Sequence, residues 1–294
     1  MVDLLQAVGS GILVGLVYAL LGLGIVVIFK ASEAFNFAIG EFLVIGSFLF
    51  YVLFFDLGLP FIIALPLGLL AAALVGAIVE RLTIKPLLGR SPISMTIVTL
   101  GLGFLLRATV QLIFGSHTYS FFLGLPDITL DLGNFIFLSD PIWAGILSLA
   151  TFGLVLMLLF RTKWGLAIRA VSESQARSMA YGIDARVILL VIWALSAACI
   201  TVAGIMISNF GALAAGSGIV GLRAIPVVLI GGMDSITGAL VGGLIVGVCE
   251  SLAGAYIEPH GLVGFKDVAP YILLLLVLFI RPYGLFGTVR IERV

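Results

Sequence analysis

An all-α polytopic membrane protein is what this sequence predicts, and three observations predict it. Apolar residues make up 62% of the chain and charged residues only 10%, where an ordinary soluble domain carries roughly 25% charged residues. The mean hydropathy is +1.31. Apolar runs of spanning length follow one another with short breaks. About 20 helical residues cover the roughly 30 Å hydrocarbon core. Lipid offers the backbone no hydrogen-bond partner, so each run is expected to be helical. The alternating ten-residue strands of a barrel are absent from the pattern.

The runs are 9–29, 37–55, 60–79, 92–114, 141–160, 187–208, 237–257 and 269–286. The residues before the first run include Asp3 and no Lys or Arg, so that run is expected to be retained as a helix and not cleaved as a signal. Glycine is dense in two of them: Gly9, Gly11, Gly15, Gly22 and Gly24 in the first, and Gly238, Gly242, Gly243 and Gly247 in 237–257. Small faces of this kind let helices approach closely. No linker or low-complexity tract interrupts the chain, and residues 1–294 read as a single transmembrane domain.

Loop charge predicts the orientation. Segment 80–91 holds Arg81, Lys85 and Arg90 against Glu80. Segment 161–186 holds Arg161, Lys163, Arg169, Arg177 and Arg186 against Glu173 and Asp184. The tail holds Arg281, Arg290 and Arg293 against Glu292. All three are expected in the cytoplasm by the positive-inside rule. Segment 115–140 has no Lys or Arg and carries Asp127, Asp131 and Asp140, so it is expected outside. Parity then requires a further crossing between 209 and 236. The apolar stretch at 221–232, interrupted by Pro226, is the candidate. The count is eight crossings by long runs and nine with this short broken one, with the N-terminus outside and the C-terminus cytoplasmic.

Little points to catalysis. None of the four lysines follows a glycine, so no phosphate-binding P-loop is present, and there is no HExxH. His117 and His260 fall in expected external loops. Cys199 and Cys249 sit in apolar runs at a spacing that fits no metal or disulfide framework. No metal site, cofactor or nucleic-acid partner is expected. Polar groups inside the spans carry more information, because a charge at a helix centre costs about 2.5–3.5 kcal/mol on insertion scales. Asn36 and Glu41 lie in the broken segment 35–46, Arg107 in 92–114 and Glu250 in 237–257. Two short or broken segments, 35–46 and 221–232, are the kind that mark a substrate path in transporters. Asn36, Glu41, Arg107 and Pro226 are therefore the candidate pathway residues. Two readings stay open: these groups line a polar passage, or Glu41 and Arg107 pair to hold helices together while Arg107 snorkels.

The longest cytoplasmic loop reads RTKWGLAIRAVSESQARSMAYGIDAR (161–186). Ala167, Ala170, Val171 and Met179 recur at helical spacing among polar residues, and Gly182 is the expected terminator. An amphipathic element of this kind either lies on lipid or docks on a cytoplasmic partner.

Four stretches of the chain resemble the LivH-type permease subunits of ABC importers for branched-chain amino acids, and the resemblance covers nearly the full length. FNFAIGEFLVIGSF (35–48) is similar to the family's N-F-A-H-G-E segment. GRSPISMTIVTLGLGFLL (89–106) is similar to its S-P…T-x-G-L run. RTKWGLAIRAVSESQARSMAYGID (161–184) is similar to its R-T-x-x-G-x-A-x-R-A…G-I-D loop. GGMDSITGALVGG (231–243) with RPYGLFG (281–287) is similar to G-G-x-G-S-x-x-G-A and R-P-x-G-L-F-G.

The resemblance implies a multi-chain importer in a bacterial cytoplasmic membrane. This subunit would pair with a second permease, as a heterodimer or homodimer. Two ATPase subunits would hold ATP-Mg, and an external binding protein would deliver the solute. Loop 161–186 would then couple to an ATPase, with Arg169, Ser172, Glu173, Arg177, Ala180, Gly182 and Asp184 as contacts. Two positions depart from the pattern. Ile39 stands where His is common, and Arg107–Ala108 where Gln-Asn is common. An Arg in the passage favours a carboxylate-bearing solute. The rival class is a free-standing carrier or channel, which has no reason to keep such a loop.

Overall fold

The structure is a computed structural model that describes residues 2–87, 89–126, 130–131, 136–137 and 139–288. Asp127, Arg290, Glu292 and Arg293, used above for orientation, lie outside the described residues, as does the side chain of Asp131.

Eleven α-helices are found among the described residues: α1 (Val2–Ser32), α2 (Ile39–Tyr51), α3 (Phe61–Val79), α4 (Pro92–Phe114), α5 (Ser139–Arg161), α6 (Lys163–Glu173), α7 (Gln175–Ala180), α8 (Ala185–Asn209), α9 (Ala224–Gly231), α10 (Ile236–Tyr256) and α11 (Phe265–Ile280). The only strands described are two-residue ones: β1 (Tyr119–Ser120) pairs antiparallel with β4 (Ala212–Leu213), and β2 (Leu130–Asp131) with β3 (Ile136–Phe137). Seven helices are long and apolar enough to cross a bilayer: Leu4–Ser32, Ile39–Asp56, Phe61–Leu87, Pro92–Phe114, Ser139–Arg161, Ala185–Asn209 and Ile236–His260. An all-helical membrane protein is therefore what the sequence folds into.

The chain divides into two compact units. The first comprises Met1–Val26, Gly124–Leu149 and Arg223–Val294, and the second Val27–Leu123 and Ala150–Leu222. In the first unit the glycine-rich faces of α1 and α10 meet backbone to backbone. A Cβ on Gly15 would lie 2.8 Å from the Gly243 carbonyl oxygen, and one on Gly11 would lie 2.7 Å from Val248 Cα. A Cβ on Gly247 would overlap the backbone of Gly11 and Gly15. This is the close approach that small residues four apart permit. Ser251 Oγ donates to the Ala7 carbonyl (2.7 Å) across the same seam.

In the second unit α2, α3 and α8 pack on one another, with Leu43, Ile192, Trp193 and Ile200 buried, while Phe48 of α2 stacks on Phe114 of α4. Gly76 sits against the Trp193 carbonyl, and Gly204 against Ser47 and the Leu43 carbonyl. Two spans end in wider π turns, at Val52–Asp56 after α2 and at Glu80–Ile84 after α3.

Two boundaries differ from the sequence expectation. The run 269–286 is helical only from Phe265 to Ile280. Its last residues turn back, and the N–H groups of Leu285 and Phe286 donate to the carbonyls of Ile230 (2.8 Å) and Gly231 (3.0 Å). These are carbonyls that the end of α9 leaves without an intrahelical donor. The RPYGLFG segment is thus a helix stopper, held by Gly284 at φ +78°. The second difference is at 221–232. Residues Ala215–Arg223 form a 3-10 helix, and α9 follows from Ala224. The change of helix type falls at Arg223–Ala224, and not at Pro226. Pro226 lies in the first turn of α9, where its missing N–H has no intrahelical acceptor to serve.

Candidate transport site and docking helices

Between α1 and α2 the chain is not helical from Glu33 to Ala38, and in a bilayer such backbone needs partners. α4 supplies them. Thr96 Oγ1 accepts from Phe35 N–H (3.2 Å) and Thr99 Oγ1 from Phe37 N–H (3.1 Å). The Thr99 hydroxyl in turn lies 3.1 Å from the Phe35 carbonyl. Asn36 is buried, and its Oδ1 accepts from Ala38 N–H (3.0 Å), turning the chain into α2. Its Nδ2 is buried without a partner.

This segment sets Glu41 in the first turn of α2. Arg107, on α4, reaches it with Nε 3.5 Å from Glu41 Oε1. Neither group is satisfied by that contact: Glu41 Oε2 and Arg107 Nε both lack a hydrogen-bond partner among the described residues. The pair faces a cavity of about 230 Å³, walled by Phe37, Gly40, Leu100, Gly103 and Phe104, and by Gly218, Ile219 and Leu222 of the 3-10 helix. Glycine makes the cavity possible. Gly40 and Gly218 touch backbone to backbone, and a Cβ on Gly218 would stand 2.8 Å from Glu41 Oε1. Charge, unspent hydrogen-bonding capacity and apolar walls together suit a small solute that carries both a charged head and an apolar body.

Of the four candidate pathway residues, the structure brings Glu41 and Arg107 together on this cavity. Asn36 holds the turn before α2 through its Oδ1 and is not on the cavity wall. Pro226 belongs to the first unit, buried in α9. Glu250 has a partner that sequence reasoning missed. Arg223 Nη1 donates to Glu250 Oε1 and to Tyr18 Oη, both at 2.6 Å, while Nη2 donates to Asp267 Oδ1 at 2.5 Å. The signal was available, because Arg223 falls in an apolar stretch and a buried acid such as Glu250 needs a cation. What hid it is separation along the chain.

The loop after α5 is two helices, not one. Ser174, at φ −165°, ψ 110°, separates α6 from α7, and its Oγ caps α7 by accepting from Arg177 N–H (3.3 Å). The buried face is Gly165, Ile168 and Val171. Ala167 and Ala170 lie at its border, and Met179 is exposed. The expected apolar face was thus rotated by about one position. A Cβ on Gly165 would overlap the carbonyl oxygens of Leu158 and Leu159, so the helix turns tightly out of α5. Gln175 Nε2 donates to the Ala31 carbonyl near the end of α1 (2.8 Å).

The chain leaves α7 through a Schellman turn. Ile183 N–H donates to the Ser178 carbonyl and Gly182 N–H to that of Met179, both at 3.0 Å, with Gly182 at φ +82°. Asp184 Oδ1 then caps α8 by accepting from Arg186 N–H (2.9 Å). Arg169 is half-buried, with its guanidinium over the Phe160 ring at 5.1 Å, and Ser172 is half-buried beside it. Glu173, Arg177, Ala180, Gly182 and Asp184 are exposed, together with Trp164, Leu166, Met179 and Tyr181. This is a mixed face of charges and large apolar side chains.

Comparison with known proteins bears on the family of the whole chain. The family model described as branched-chain amino acid transport system / permease component matches residues 7–279. The high-affinity branched-chain amino acid transport system permease protein BraD of Pseudomonas aeruginosa is 30% identical, over 99% of this chain and 98% of its own. The corresponding LivH protein of Escherichia coli K12 is 29% identical over 99% of this chain and 97% of its own. A probable LivH of Methanocaldococcus jannaschii is 30% identical over 91% and 88%.

Proposed function

The chain belongs to the family of branched-chain amino acid transport system permease components, and from that premise we propose that it is the membrane-spanning permease subunit of an ATP-driven ABC importer. It moves a small polar solute inward across a bacterial cytoplasmic membrane by alternating access. The observation that carries this reading is likeness to curated permeases over 99% of the chain. The chain itself has no enzymatic activity in this scheme, and ATP-Mg is hydrolysed on partner subunits. Those partners are two cytoplasmic ATPases, a second permease and an external binding protein.

The solute is a branched-chain or related amino acid, or a small carboxylate or amide. Glu41 and Arg107 support that choice. One can meet an ammonium and the other a carboxylate through charge-assisted hydrogen bonds, and the walls around them are largely apolar. Asn36 shapes the entry to α2 beside this cavity. In the topology proposed, the short stretch 221–232 is a crossing and α11 another. That makes nine crossings, with the N-terminus outside and the C-terminus inside. Loop 161–186 meets an ATPase through Arg169, Ser172, Glu173, Arg177, Ala180, Gly182 and Asp184.

The test is purification of the tagged chain from its native membrane, followed by reconstitution into vesicles with labelled leucine and purified binding protein outside. ATPase chains should co-purify, and uptake should require ATP inside. Uptake driven by an ion gradient alone, with no ATPase bound, would sink the reading in favour of a free-standing carrier.

A further inference from the structure

The end of the α3 span carries a second site. The helical stretch Phe61–Leu87 has 27 residues, so at 1.5 Å per residue it is about 40 Å long. That exceeds the roughly 30 Å hydrocarbon core, and its last turns therefore reach the headgroup layer. In those turns the helix widens into the π turn Glu80–Ile84, with Lys85 N–H donating to the Glu80 carbonyl five residues back. Arg81 and Lys85 there line a cleft of about 510 Å³ with Leu82, Pro86 and Arg186, the second residue of α8. Three basic residues thus line it; none lies within ion-pair distance of a described carboxylate, and the buried Glu80 feels the charge of Lys85 and Arg81 only from a longer range. The main-chain N–H of Arg186 serves the cap of α8, and the exposed residue also lines the cleft. Glu80 adjoins the cleft, but its side chain is fully buried, and neither oxygen has a hydrogen-bond partner.

The surface leading into the cleft is apolar. Leu67, Leu70, Leu74, Ile78 and Leu82 are all exposed and follow one another at steps of three and four residues. They form one stripe along the helix. A stripe of this kind holds an acyl chain, and the cations at its end hold a phosphate. We propose that this cleft binds an anionic phospholipid, with its phosphate between Arg81, Lys85 and Arg186 and an acyl chain along α3. Soluble anions would leave the stripe unused, and a cytoplasmic protein would not follow it into the bilayer. The proposal depends on the chain spanning the membrane, and not on which solute it carries.

The test uses the full permease purified with its partner subunits and incubated with equal amounts of dioleoyl phosphatidylglycerol and dioleoyl phosphatidylcholine. Retained lipids are counted by native mass spectrometry. The wild type should keep phosphatidylglycerol in preference. Arg186→Gln should weaken that preference about fivefold, and Arg81→Gln/Lys85→Gln/Arg186→Gln by more than ~10-fold, with phosphatidylcholine unchanged. The charge-keeping variant Arg81→Lys/Lys85→Arg/Arg186→Lys should retain it. If the triple Gln variant does not fold, the single variant at exposed Arg186 decides. Equal retention of the two lipids by the wild type, or an undiminished preference in the Gln variants, overturns the site. Displacement of the lipid by millimolar inorganic phosphate would assign the cleft to free anions. Loss of an ATPase chain with the lipid count unchanged would assign it to a protein partner. Either result overturns the lipid proposal.

Discussion

Glu41 and Arg107 stand 3.5 Å apart on neighbouring helices of the second unit, yet each keeps a buried polar atom without a hydrogen-bond partner. A pair built only to join α2 to α4 would gain from closing to a bidentate contact. The gap is better suited to admitting a third group. Arg107→Gln should raise the solute concentration for half-maximal uptake roughly 10- to 100-fold, the worth of a hydrogen bond to a charged group. The double variant Glu41→Gln/Arg107→Gln separates the alternatives. If Arg107 only neutralises Glu41, the double variant should transport nearly as well as wild type. If both meet the solute, uptake should fall further than in either single variant.

Gly182 at φ +82° ends α7 in a conformation that disfavours any side chain. Gly182→Ala should cost about 1 kcal/mol of local stability, lowering the thermal midpoint slightly. Gly182→Trp adds bulk in open space, since nothing lies within 4 Å of its Cβ position. If the exposed face of α6 and α7 carries the ATPase, Gly182→Trp should abolish solute-stimulated ATP hydrolysis, while Gly182→Ala reduces it modestly. Equal activity in both variants and wild type would count against docking there.

Arg223 holds Glu250, Tyr18 and Asp267 at once. Arg223→Gln leaves the largely buried Glu250 carboxylate without its cation, and the first unit should lose roughly 1–3 kcal/mol. Arg223→Gln/Glu250→Gln should recover most of that loss, because two neutral amides can pair where a lone carboxylate cannot. Thermal unfolding in detergent measures both. An additive double variant would mean that the two side chains are energetically independent.

The Gly11–Gly15 and Gly243–Gly247 seam has no space for a methyl group. Gly15→Val or Gly243→Val should force α1 and α10 apart and reduce the folded yield severalfold, in line with overpacking costs of about 1–3 kcal/mol. Gly153→Ala, where nothing lies within 4 Å of the Cβ position, is the control and should be silent.

What could be read without coordinates follows from range along the chain. The long helices were legible because each apolar run carries its own evidence, and so was the packing role of the glycines, whose spacing is local. The end of the 3-10 helix at Arg223 was not. There the backbone conformation answers to Gly40, which meets Gly218 and Gly221 from a distant part of the sequence. The Arg223 cluster was hidden for the same reason, since Tyr18 is 205 residues away. The break between α6 and α7 was within reach. Ser174 offers capping chemistry in the sequence itself, but an uninterrupted helical periodicity was the simpler pattern. The turning back at Leu285–Phe286 needed knowledge of which carbonyls α9 leaves open.

The threonines of α4 carry a mechanical consequence. A stretch of chain that borrows its hydrogen bonds from Thr96 and Thr99 cannot slide past α4 in oil without stranding three polar groups. Whatever strokes the transport cycle makes, residues 35–37 and α4 must travel as one rigid part. On the opposite side of the cavity the 3-10 helix meets α2 through Gly218 and Gly221 against Gly40, a contact of shape alone; if the proposed transport cycle opens this cavity, that wall is the part free to move.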